Sequence, residues 1–238
     1  MKVGVIGKGF VGGALAQGFC LAVSRVLVYD SDPSLSTDAL DEVCSESDVI
    51  FVCVPTPMKK SGEIDLKIIN NVMEEIGKRS KDPEQIVVVK STVVPGTMET
   101  LQSKHKNLAL AFNPEFLTER TARLDFINAS RIVIGSDHSW ISDKLETLYR
   151  LKFRSVPIIK TDFATSQLIK YMSNCFFATK VSFMNEMKQV CDAASADWEM
   201  CVDGFILDGR IGNSHIDVPG HEKFIRNMAA GVSTIQIG

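Results

Sequence analysis

The first twelve residues constrain the fold most. Met1-Lys2-Val3-Gly4-Val5-Ile6 is a short β-branched run, and Gly7-Lys8-Gly9-Phe10-Val11-Gly12 follows it as G-x-G-x-x-G before a helical pattern begins. A strand that feeds through spaced glycines into a helix reads as the first βα turn of a doubly wound sheet. Gly7 makes the tight turn, Gly9 lets the backbone approach a pyrophosphate, and Gly12 lets helix and strand pack closely. Phe10 and Val11 open the helix, whose first N–H groups face the phosphates. Asp30 ends the second strand, 18 residues past Gly12, where a carboxylate accepts from a ribose 2′-hydroxyl. Ser31 and Asp32 follow with no arginine nearby, which favours NAD over NADP. A tight turn that binds nothing is the bland alternative, and the strand, helix and spaced acid together speak against it.

The pattern of the opening continues. Val3–Ile6, Val26–Tyr29, Val49–Val54, Ile86–Val89, Leu108–Phe112 and Arg131–Ile134 read as strands, with Val156–Ile159 as one more. They are apolar throughout, as strands covered on both faces should be. Helical spacing lies between them, best at Ile68, Ile69, Val72, Met73 and Ile76. The expected fold over 1–160 is therefore α/β, a Rossmann-type doubly wound parallel sheet. After Lys160 the character changes. From about Asp162 to Asp197 there is neither proline nor glycine, and apolar residues from Leu168 to Cys191 recur at helical spacing. A helix of that length reaches about 54 Å. It is too long for one small sheet, so 161–220 is expected to be a helical region joining two bodies or two subunits.

Composition narrows the class. The net charge is -3 and the basic residues are scattered, which argues against a nucleic-acid partner. No apolar run reaches the roughly 18 residues of a membrane span. The N-terminus enters its glycine turn with no cleavage site, so no signal peptide is expected. A cytoplasmic location follows as the expectation. None of the six cysteines forms C-x-x-C, and the four histidines complete no zinc spacing, so no metal is expected. The cysteines read as small buried hydrophobes in a reducing compartment.

Several polar segments fall where ligands of open α/β sheets collect, at carboxyl ends of strands. Thr56 lies in Cys53-Val54-Pro55-Thr56-Pro57, and Thr92 in Lys90-Ser91-Thr92-Val93-Val94-Pro95-Gly96-Thr97. Their hydroxyls can hold ribose, a nicotinamide amide or a reacting water, or the segments are loop punctuation. In Asn113-Pro114-Glu115-Phe116-Leu117-Thr118-Glu119, Glu115 and Glu119 are four apart and share a face on a helical turn. On the long helix Lys170 and Asn174 are also four apart, a pairing suited to a developing oxyanion, against the alternative of a snorkelling surface lysine. Arg210, between Gly209 and Ile211-Gly212, could present a guanidinium to a diphosphate.

Taken in order, G-K-G-F-V-G, V-P-T-P, K-S-T-V-V-P-G-T, N-P-E-F-L-T-E, K-Y-M-S-N and R-I-G-N-S-H resemble the UDP-glucose/GDP-mannose dehydrogenase family from residue 1 to about Gly220. The resemblance implies NAD-dependent oxidation of a UDP-sugar C6 alcohol to a carboxylate in two hydride transfers. It implies that Thr92 and Glu115 position or activate water, that Glu119 lies against the nicotinamide, and that Lys170 and Asn174 stabilise the oxygen on C6. Phe116 and Leu117 would line the sugar site, Thr56 the cofactor, and Arg210 would reach the sugar nucleotide bound by the other subunit of a homodimer.

The family continues with a G-F-G-G-x-C-F-P-K-D segment, whose cysteine forms a thiohemiacetal and thioester. Here Pro219-Gly220 is followed by His221-Glu222-Lys223-Phe224, and no cysteine follows Cys201. The tail 221–238 is expected to diverge from the family, the second, UDP-binding α/β domain to be absent, and the complete reaction to be impaired. Two other readings compete. One is a non-catalytic NAD-binding dimer. The other is a β-hydroxyacid-type dehydrogenase, which also carries Lys-x-x-x-Asn on a helix but neither N-P-E-F nor R-I-G-N-S-H.

Overall fold

In the computed structural model, residues 1–80, 82–209 and 211 are described. The chain runs β1 (Lys2–Ile6), α1 (Phe10–Phe19), β2 (Arg25–Tyr29), α2 (Leu40–Glu46), β3 (Val49–Val52), α3 (Lys67–Arg79), β4 (Ile86–Val89) and α4 (Thr97–Lys104). It continues through β5 (Ala109–Phe112), α5 (Ala122–Ile127), β6 (Ile132–Gly135), α6 (Ser139–Arg150), β7 (Ile158–Thr161), α7 (Phe163–Ala193) and α8 (Trp198–Ile206). The expected strands all form, most of them shifted by a residue or two at one end. The strand expected to reach Val54 stops at Val52, because Pro55 and Pro57 cannot continue a ladder.

One sheet holds all seven strands in the order β2-β1-β3-β4-β5-β6-β7. Period-two side chains sort the strands onto two apolar layers. Val49, Phe51, Ile86 and Val88 face Leu15, Phe19, Leu145 and Leu148 of α1 and α6. Ile50, Val52, Val87 and Val89 face Ile69, Met73 and Ile76 of α3 and Met98 and Leu101 of α4. The helix read at Ile68–Ile76 buries Ile69, Met73 and Ile76 and leaves Ile68 exposed.

The parallel expectation needs one correction. β5 and β6 are antiparallel, so β6 and β7, parallel to each other, run against the first five. The cause is the short connection. α5 has six residues and packs on α1, its Phe126 ring filling the space beside Gly18. It returns the chain near the carboxyl end of β5 instead of carrying it across the sheet. Phe112 opposite Gly135 is the one paired register position there. Two side-chain bonds assist: Asn113 Nδ2 donates to the Val133 carbonyl (2.6 Å), and Ser136 Oγ to that of Leu110 (3.2 Å).

The described residues fall into two compact units, 1–171 and from 172 onward, and the division lies inside α7. In the second unit α7 runs to Ala193 and the long helix is shorter than its composition suggests. Ser195, at φ 55°, turns the chain, and Asp197 caps α8 by accepting from the Met200 N–H (3.1 Å). Met184, Cys191 and Val202 are buried, whereas Met172, Phe176, Phe177, Phe183 and Val190 stay exposed. The cysteine expectation holds for Cys44 and Cys191 and fails for Cys20, just past α1, and for Cys175 and Cys201 on helices, all three exposed. Among the described residues, no helix is long and apolar enough to cross a membrane. Arg210 and the tail 221–238 lie outside the described residues.

Candidate functional site

The carboxyl ends of β1 to β5 carry the site, and the glycine turn opens it. Gly7 sits at φ +92°, where a Cβ would lie 2.7 Å from the Cys53 carbonyl, and a Cβ on Gly12 would lie 1.9 Å from the Gly7 carbonyl. Only glycine fits either place. Gly9 is different, because nothing lies within 4 Å of its missing Cβ. It is also the N-cap of α1 and makes no side-chain cap, so the first N–H groups of the helix, from Phe10 onward, are open to an anion. That open cradle fits a dinucleotide pyrophosphate. Asp30 lies beside it. Its Oδ2 accepts from the Lys8 N–H (2.6 Å) and its Oδ1 from the Asp32 N–H (2.9 Å), which ties the end of β2 to the glycine loop.

The next two loops are stitched together. Thr56 Oγ1 donates to the Thr92 carbonyl (2.8 Å), and Ser91 Oγ to the Val54 carbonyl (2.6 Å). Thr56 and Thr92 are both half-buried, so the structure brings these two predicted residues together.

Past β5 the chain departs from the expected helical turn. Residues 113–118 are irregular and Glu119 begins a 3-10 turn, Glu119–Thr121, so Glu115 and Glu119 do not share a helix face. Acidic side chains satisfy this backbone instead: Glu115 Oε2 accepts from the Leu117 N–H (2.6 Å) and Asp125 from that of Thr118 (2.7 Å). Glu119 is exposed, whereas the Glu115 side chain is 12% exposed and meets Lys170. Lys170 is no snorkelling lysine. Its side chain is 6% exposed, and its Nζ donates to Glu115 Oε1 (2.8 Å) and to the Glu115 carbonyl (2.7 Å). Its ammonium also lies 5.6 Å from the centre of the Phe116 ring, and the Arg131 guanidinium stacks on that ring at 3.9 Å. Asn174, one turn on along α7, is exposed and belongs to the second unit.

A second buried lysine escaped the sequence reading. Lys90 is 5% exposed, and its Nζ donates to Asn113 Oδ1 (2.7 Å) and to the Asn113 carbonyl (3.2 Å). The buried Tyr149 hydroxyl donates to the same Oδ1. Burial pulls the Lys90 ammonium down to about 8; Cys53 and Glu115 offset this in part, and Lys170 adds to it. Burial pushes the Cys53 thiol up to about 12 and raises the Tyr149 hydroxyl as well. A cavity of about 270 Å³ adjoins this network, with Lys90, Asn113, Glu115, Phe116, Arg131 and Tyr149 in its wall. The available signal was Lys90 itself, a charge directly after the fully buried run Ile86–Val89. Tyr149 gave none, since a tyrosine on the apolar stripe of α6 reads as core.

Comparison with known proteins agrees with this geometry. Residues 34–152 match the model of the UDP-glucose/GDP-mannose dehydrogenase family, NAD binding domain, and residues 164–221 match that of the family's central domain. The chain is 37% identical over 179 residues to the UDP-glucose 6-dehydrogenase YwqF of Bacillus subtilis, covering 72% of this chain and 40% of that one. Identity to the UDP-glucose 6-dehydrogenase of Rickettsia typhi is also 37% over 179 residues, covering 73% and 41%. The chain therefore spans about two fifths of the length of these relatives. A ternary complex of GDP-mannose dehydrogenase from Pseudomonas aeruginosa superposes with a TM-score of 0.79 at 28% identity, over 98% of this chain and 65% of that one.

Proposed function

The chain belongs to the UDP-glucose/GDP-mannose dehydrogenase family, and from that premise we propose that it binds NAD and oxidises the C6 alcohol of a UDP-sugar. The observation that carries the reading is the buried Glu115–Lys170 pair at the carboxyl end of β5, in the sheet that also holds the glycine turn. Cys53 links the two, because its carbonyl lies under Gly7 while its thiol feels Lys90 and Glu115.

NAD, when bound, supplies the hydride acceptor. Gly7, Gly9, Phe10, Val11 and Gly12 would hold its pyrophosphate, Asp30 its ribose, and Thr56, Thr92 and Glu119 its nicotinamide half. The chain's own groups then manage the oxygen on C6. An ammonium has three N–H donors, and Lys170 spends two on Glu115, which leaves one for the substrate oxygen. Asn174 would supply a second donor, Phe116 and Leu117 would lie along the sugar, and Arg210, outside the described residues, would reach the nucleotide bound by the partner of a homodimer. The exposed apolar residues of α7, Met172 to Val190, are the face that such a dimer would cover.

Oxidation of the aldehyde needs a tetrahedral adduct. Burial keeps Cys53 a thiol at neutral pH, and no described cysteine lines the cavity beside Glu115, so the adduct that these residues can make is a hydrate, with Thr92 placing the water and Glu115 taking its proton. That route is slower than one through a thiolate. Free thiols at Cys20, Cys175 and Cys201 fit a reducing, cytoplasmic setting.

The test is NADH formation from UDP-glucose, with and without a trap for the aldehyde, beside calorimetry of NAD. NAD binding with slow, trap-sensitive NADH release is expected. Absence of NAD binding refutes the reading; two equivalents of NADH at around 1 s⁻¹ or faster refute the hydrate route. Light scattering at about twice the 26.2 kDa chain mass supports the dimer.

A further inference from the structure

Two buried ammonium groups hold the three residues that carry the reacting carboxylate. Lys170 holds the Glu115 end, where it binds both carbonyl and carboxylate. Lys90 does the same at the Asn113 end, binding carbonyl and side-chain oxygen. Pro114 lies between them, with its φ fixed by the ring. An ammonium this deep is costly to bury. No carboxylate lies within 4 Å of Lys90 among the described residues, so its partners are the two oxygens of one asparagine. Methionine would pack in the same space without that cost.

We propose that Lys90 is a positioning residue of this site: through Asn113 it fixes the segment Asn113–Glu115, and so the placement of Glu115 against Lys170. The inference rests on the reading of Glu115 and Lys170 as the reacting pair. Without Lys90, the Asn113 side chain keeps Tyr149 on its oxygen and Val133 on its amide, and its N–H keeps the Val89 carbonyl. The Asn113 carbonyl, which leads into Pro114 and Glu115, then loses its Lys90 partner, and Oδ1 loses one of its two donors. The charges facing Lys90 are Glu115 and Lys170, with the titratable Cys53 and Tyr149 beside them.

The experiment uses the full chain with Lys90→Met and Lys90→Ala. Turnover in the NADH assay is expected to fall on the order of 10²-fold, with KM for NAD changed less than about twofold. Propylammonium, which matches the deleted atoms, should restore Lys90→Ala in part and leave the wild type unaffected. A second readout is independent of activity. The Leu117 N–H, held by Glu115, should exchange at least about tenfold faster in Lys90→Met while the β1 and β3 amides are unchanged. Unchanged turnover overturns the proposal. So does a loss of turnover that comes with an equal loss of NAD binding and ignores propylammonium. If the wild type forms no NADH, the functional reading fails, and Leu117 exchange alone decides: unchanged exchange overturns the positioning role.

Discussion

Lys170→Met is the perturbation with the largest effect worked from this structure. Wild-type Lys170 donates two charged hydrogen bonds, each worth about 1.5–3 kcal/mol, to a residue whose side chain is 12% exposed. Methionine conserves the volume but leaves a carboxylate and a carbonyl with little water to replace the ammonium. Breaking a buried pair from one side costs about 3–5 kcal/mol. At about 2–4 °C per kcal/mol for a chain of this size, the melting temperature should fall by roughly 6–20 °C. Replacing both partners, Lys170→Met with Glu115→Gln, removes the unpaired charge, so the double variant should be more stable than Lys170→Met alone. Urea unfolding followed by Trp140 fluorescence in a Trp198→Phe background reads the first unit specifically, since Trp140 lies on α6 and Trp198 on α8. A Lys170→Met variant within about 1 kcal/mol of the parent, or a double variant whose loss is the sum of the single losses, would show that water screens the pair.

Lys90 makes the stability depend on pH with a defined sign. Its folded value near 8 lies below the usual 10.5, so between these values the unfolded chain binds more protons and stability rises with pH. Relative to Lys90→Met, the wild type should gain about 3 kcal/mol between pH 8 and 10.5; a flat difference in urea midpoints contradicts the buried charge. Gly9→Ala and Gly12→Ala should separate binding from folding, with NAD affinity lost in Gly9→Ala at an unchanged melting temperature. Gly12→Ala, forced against the Gly7 carbonyl, should lose about 1–3 kcal/mol of stability as well. Equal melting temperatures would refute the contrast. Asp30→Ala should weaken NAD binding by about 1.5–3 kcal/mol, and unchanged calorimetric affinity would remove its ribose role.

The sequence made the sheet legible because its strands are apolar on both faces, a signal that helices could not imitate at four residues' length. It made the glycine turn legible because Gly7 and Gly12 each answer a separate steric demand and Gly9 leaves the helix N-terminus uncovered. The reversal of β6 was hidden, since strand direction depends on where α5 delivers the chain and not on the pattern of Ile132–Gly135 itself. Glu115 and Lys170 were found as members of separate i, i+4 pairs, with Glu119 and Asn174. What the structure pairs is Glu115 with Lys170, 55 residues apart in the chain. The spacing rule looked along the helix, whereas the chemistry lies across it. The break at Ser195 was missed because it uses neither glycine nor proline, and Asp197, read as the end of the long segment, caps the next helix instead.

The β5–β6 junction has a mechanical meaning. A ladder that is paired at Phe112 and Gly135 and otherwise fastened by the side chains of Asn113 and Ser136 is a seam, not a continuous weave. α6 spans that seam, since its Leu145 and Leu148 pack on β3 and β4 while it connects β6 to β7, so the helix and not the ladder holds the two parts of the sheet together. Asn113 is one of its fasteners and also the residue that Lys90 grips two positions before Glu115. Through that one side chain, the fastening of β5 to β6 and the bracing of the reacting loop share a single anchor.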